Sequence, residues 1–145
     1  REIRKVCLLL FLIIIVTYFR PIPLSNLLEH AETIEISMQE LGVDNGGVSY
    51  INESNRAVFS SQEKENIITV ARQYNYCRNL SSVFKYEGSK KRHPAKILML
   101  YVEENSQKKT IYITSMQEII IDNHSYTMAD SWEFIDYFQS PPFFD

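Results

Sequence analysis

The stretch "AKILMLYVEENSQKKTIYITSMQEIIIDNHSYTM", Ala95 to Met128, decides the fold. It holds three strand-like runs in quick order: "AKILMLYVEE" at Ala95–Glu104, "KTIYITS" at Lys109–Ser115 and "EIIID" at Glu118–Asp122. The links "NSQK" and "SMQ" are short, and "DNHS" leads straight into "YTM". Parallel neighbours would need crossovers of a dozen residues or more, so this spacing predicts an antiparallel meander.

Working upstream, "TIEISM" (Thr33–Met38) alternates as a half-buried strand, with Ile34, Ile36 and Met38 on one face. "DNGG" at Asp44–Gly47 is a strong turn signal, and short strands at Val48–Ile51 and Arg56–Phe59 pair around "NES". Ser60 with Glu63 three residues on reads as a capping box. It opens a helix whose stripe is Ile67, Val70, Ala71, Tyr74 and Cys77, with Ile68 at its margin, ending by Asn79–Ser82. Downstream, Asp130 with Glu133 starts a last helix, "DSWEFIDYF", with Trp132, Ile135, Tyr137 and Phe138 on its apolar side. The expected fold is α+β: a meander sheet of roughly four to six antiparallel strands with two helices on one face.

The chain opens with "REIRKVCLLLFLIIIVTYFRPIP". Fourteen consecutive residues, Val6 to Phe19, carry no charge. As a helix they span about 21 Å against a hydrocarbon core of about 30 Å. Arg4, Lys5 and Arg20 reach outward from either end, and Tyr18 and Phe19 suit an aromatic belt. No small-residue cleavage pattern follows, so an uncleaved signal anchor is expected over residues 1–24, ahead of a domain over 25–145. The bilayer is then a partner through residues 6–19, in a single pass with the N-terminus inside and the domain outside. Pro21 and Pro23 end the helix. The first residue is Arg rather than Met, so an upstream piece is expected to have been removed or left out.

Residues 21–145 hold eleven Lys and Arg against seventeen Asp and Glu, a balance near −6. That sign excludes a nucleic-acid partner. Cys7 lies in the apolar run and Cys77 stands alone beyond it, so no disulfide forms within the domain; Cys77 reads as a buried, inert thiol.

No catalytic pattern stands out. "IDNHSY" sets Asp122, His124 and Ser125 close together, but a turn leading into a strand accounts for the same letters. No metal-ligand spacing links His30, His93 and His124, and no metal or cofactor is expected. Two candidate contacts remain. Lys90, Lys91, Arg92 and His93 form a basic run that is either a solvated loop or a contact for anionic headgroups or envelope polymer. Tyr137, Phe143 and Phe144 in "YFQSPPFFD" are either an exposed contact or a tail packed across the core.

The basic start with its Leu/Ile run, "TIEISM", and above all "KKTIYITSMQEIIIDNHSYTM" resemble small signal-anchored or secreted domains of unknown function from Gram-positive bacteria. The resemblance spans most of residues 25–138. It implies an envelope location and assigns no residue a role. The leading expectation is a non-enzymatic, extracytoplasmic binding or accessory domain with a protein partner in the envelope. The alternatives are an immunity-type protein neutralising a toxin or bacteriocin at the membrane, and a hydrolase of envelope material.

Overall fold

The computed structural model describes residues 2–84, 94–139 and 143. These described residues form an α+β domain with one large sheet and three α-helices. Helix α1 runs Glu2–Tyr18, followed by a two-residue strand β1 (Ile22–Pro23) and a 3-10 turn over Leu24–Leu27. Strands β2 (Thr33–Asp44) and β3 (Gly47–Val58) form a hairpin closed at Asp44 opposite Gly47. Helix α2 (Ser61–Ala71), strand β4 (Asn75–Tyr76) and a 3-10 turn over Leu80–Val83 come next. The meander β5 (Lys96–Glu104), β6 (Gln107–Thr114), β7 (Glu118–Ile121) and β8 (His124–Thr127) leads into α3 (Ser131–Gln139).

The large sheet has six strands in the order β3-β2-β5-β6-β7-β8, every pair antiparallel. The two strands placed at 48–51 and 56–59 are one continuous β3. An irregularity opposite Met38 and Gln39 absorbs an extra residue there. Both tight turns of the meander do without glycine. Asn105 and Ser106 have φ of 51° and 62°, as do Asp122 and Asn123, the two successive left-handed residues a type I′ turn requires.

The register puts Ile36, Leu100, Ile111 and Ile121 in one row across the sheet, and Met38, Leu98, Ile113 and Ile119 in the next. All eight side chains are buried, as period-two alternation on one covered face demands. Leu24, Leu28, Ile67, Ile68 and Ala71 pack into the same core, as do Phe134, Ile135 and Phe138 of α3. Rings tie it together: Phe134 stands edge-on to Tyr74 at 5.3 Å and to Phe138 at 5.1 Å.

Several sequence expectations are corrected here. The stripe through Tyr74 and Cys77 outruns its helix, which ends at Ala71. Beyond it the backbone is claimed by tertiary pairing: Leu24 N–H donates to the Tyr74 carbonyl, β4 pairs with β1, and Cys77 bridges Thr127. Cys77 is therefore half-buried rather than buried. Leu24, placed within the expected anchor segment 1–24, is a core residue. Trp132 is exposed, and Phe134 takes the inward place.

The largest correction concerns the N-terminus. No helix among the described residues is long and apolar enough to cross a membrane. Helix α1 has 17 residues, and Glu2, Arg4 and Lys5 occupy its first turns. The remaining apolar length, about 20 Å, falls well short of a hydrocarbon core of about 30 Å. The signal anchor, the bilayer as partner through residues 6–19 and the single-pass, domain-outside location are withdrawn on this finding. So are the three roles built on that placement: tethered accessory domain, toxin neutralisation at the membrane and envelope hydrolysis.

Candidate interaction surface

Helix α1 contributes no buried residue. Five consecutive side chains, Leu8, Leu9, Leu10, Phe11 and Leu12, are each 55–68% exposed. Successive residues turn about 100° around a helix, so five of them sample its whole circumference. The helix is apolar on every side, and its own fold covers none of them. Such a helix is ordinarily buried.

Among the described residues, α1 is tied to the domain at its C-terminal end. The Tyr18 hydroxyl donates to the Asn79 carbonyl at 3.4 Å, and the Arg78 guanidinium sits 5.7 Å from the Tyr18 ring centre. The Asn79 end is firmly built. Its side-chain oxygen accepts from Ser82 N–H at 3.0 Å, its own N–H donates to Ser82 Oγ at 2.9 Å, and its amide nitrogen donates to Thr127 Oγ1 at 3.0 Å. The 3-10 turn starting there exposes Leu80 and Val83, and Phe84 follows, also exposed. Sequence reasoning missed these three. The available signal was "LSSVF" continuing apolar beyond the expected helix end, with no strand or helix period to bury it.

The polar residues near β8 are each held by a partner. Ser125 Oγ donates to Glu118 Oε2 at 2.9 Å. His124 Nδ1 lies 2.8 Å from the Ser82 carbonyl, which only accepts, so Nδ1 carries the proton in that bond. Ser82 Oγ donates to the Ser125 carbonyl at 2.6 Å. Asp122 is exposed and lies 4.0 Å from Lys109 Nζ. Asp122, His124 and Ser125 therefore each face a different partner and do not assemble into a relay. On the far face of the sheet, Thr33, Glu35, Tyr101, Val102, Glu103 and Lys108 line a shallow depression. There Thr33 Oγ1 donates to Glu103 at 3.3 Å and the Tyr101 hydroxyl rests on Met99 Sδ at 3.4 Å. Burial, then Tyr112 and Glu35, hold the Tyr101 phenol above its ordinary value. No cluster of three or more potential metal ligands occurs among the described residues.

Of the contacts singled out from sequence, Lys90, Lys91, Arg92, His93 and Phe144 lie outside the described residues. The structure places Phe143 against the core, its ring 5.0 Å from Phe138. Tyr137 is half-buried between them, 5.1 Å from Phe138 and 5.5 Å from Phe143.

No family model, no curated protein and no solved structure matches the chain.

Proposed function

We propose that this chain is a non-catalytic protein-interaction module, in which an α+β scaffold presents α1 as a docking element for apolar surface on another protein chain. One observation carries the reading: α1 is apolar around its full circumference and contributes nothing to the core. Hydrophobic burial is the dominant favourable term in association, and exposed apolar surface on this scale marks an interaction site. The engagement of Ser125 by Glu118 and of His124 by the Ser82 carbonyl supports the non-catalytic part.

The reading is tested with a chain that starts at Arg20. Because α1 buries no residue, its removal leaves the thermal midpoint within about 3 °C, about the shift that a change below 1 kcal/mol produces in a domain this size. The same removal abolishes most binding of an environment-sensitive apolar dye. A shortened chain that fails to fold would make α1 a structural element and overturn the proposal.

A further inference from the structure

We infer that the protein chains docking on α1 are further copies of this same chain, so that three or more copies in all gather into a helical bundle through their α1 segments. This rests on the reading of α1 as a docking element and goes beyond it by naming the occupant and its number. Two quantities carry it.

The first is area. Eleven apolar side chains of α1, from Ile3 to Val16, are 38–79% exposed. Together they offer on the order of 1,000 Å² of apolar surface, above the few hundred a monomer's largest patch presents and enough for the roughly 800 Å² per partner of a stable interface. A surface that meets that requirement within one continuous helix is sufficient for association with its own copy.

The second is angular distribution. A helix that pairs with a single partner is apolar along one stripe and polar on the rest. In α1 the residues at every angle are apolar, from Leu8 through Leu12, and Thr17 is the one uncharged polar side chain between Val6 and Tyr18 apart from the thiol of Cys7. A two-helix pair would cover one stripe and leave the others in water. Three or more helices around a common axis cover a larger share of each, so the lowest stable order is above two. Among the described residues, the ion pair on the helix, Lys5 with Glu2 at 3.0 Å, lies in its first turns and leaves the apolar length free.

Sedimentation equilibrium of the full chain, in reducing buffer without detergent at about 10 μM, tests this beside the full-length variant Leu8→Glu/Ile13→Glu/Ile14→Glu. The three positions are spread around the circumference of α1, so no apolar face is left unbroken, and none is buried, so the domain's fold is untouched. The native chain is expected at three or more times the single-chain mass, and the variant at the single-chain mass, at least a threefold drop. A native chain that sediments as a monomer or strict dimer overturns the inference while leaving the docking proposal standing. A variant that keeps the native mass overturns it by locating association elsewhere. A native chain that leaves its oligomer to float as a monomer with phosphatidylcholine vesicles also overturns it, because lipid rather than another copy is then the preferred occupant.

Discussion

Asn123 sits in the β7–β8 turn with φ of 62°, directly after Asp122 at 51°. Short polar side chains tolerate this left-handed backbone, whereas a β-branched one pays for it sterically. Replacing Asn123 by Val is therefore expected to cost about 1–2 kcal/mol. Replacing it by Gly removes that penalty and leaves stability equal or higher, and urea titration of both variants distinguishes them. A turn was legible in "DNHS", but its type was not, because glycine is the letter that announces two successive positive φ values and here Asp and Asn supply them. The same scale explains why the letters "DNHS" need no triad. Asp122, His124 and Ser125 are neighbours in sequence, but a type I′ turn sends each to a different partner.

Among the elements, α2 shows what local sequence determines and where it stops. Its start was legible at Ser60: the hydroxyl accepts from Glu63 N–H at 3.0 Å and donates to the Glu63 carboxylate at 2.9 Å. Arg56 of β3 pairs with the same carboxylate. Ser60→Ala is expected to lower stability by about 1 kcal/mol without changing the denaturant slope. Its end was not legible, because the apolar period runs on through Tyr74 and Cys77 while the backbone leaves the helix to pair with β1 and Thr127. Pairing across fifty or more residues of sequence leaves no local mark. In α3 the period placed Ile135 and Phe138 correctly but not Trp132, which points outward while Phe134 is buried against Tyr74 and Phe138. Phe134→Ala is expected to cost about 3–5 kcal/mol, and Trp132→Ala far less, in equilibrium unfolding.

At the scale of the whole molecule, the meander from β5 to β8 could be read from link lengths alone. The place of β2 between β3 and β5 could not, since its register against β5, Thr33 to Glu40 on Glu103 to Lys96, is a contact between distant segments. Nor could α1, whose composition fits a membrane segment while its apolar length does not. Stability as a whole carries an alkaline limit. Burial raises the phenols of Tyr74, Tyr76 and Tyr101 above their ordinary 10.0, with Glu133 and Asp130 adding at Tyr74 and the Tyr126 ring at Tyr76, where Arg78 opposes. A raised folded value favours the neutral form. Their contribution is thus complete below pH 10 and is lost as pH climbs from there through the folded values. Tyr76→Phe, which keeps the ring beside Tyr126, is expected to shallow the fall in thermal midpoint above pH 10 and leave the midpoint's pH dependence near neutrality unchanged.

Hydrogen exchange read by mass spectrometry, on the full chain at about 100 μM and at about 0.1 μM, bears most directly on where α1 finds its cover. An isolated helix of this length is marginal in water, so its amides are slow to exchange only while something packs against it. The expected result is protection over residues 2–18 that disappears on dilution, with protection of β2, β5 and β6 unchanged. Slow exchange in residues 2–18 at both concentrations would mean that the helix is covered by its own domain, and fast exchange at both that no other copy covers it; either contradicts the account.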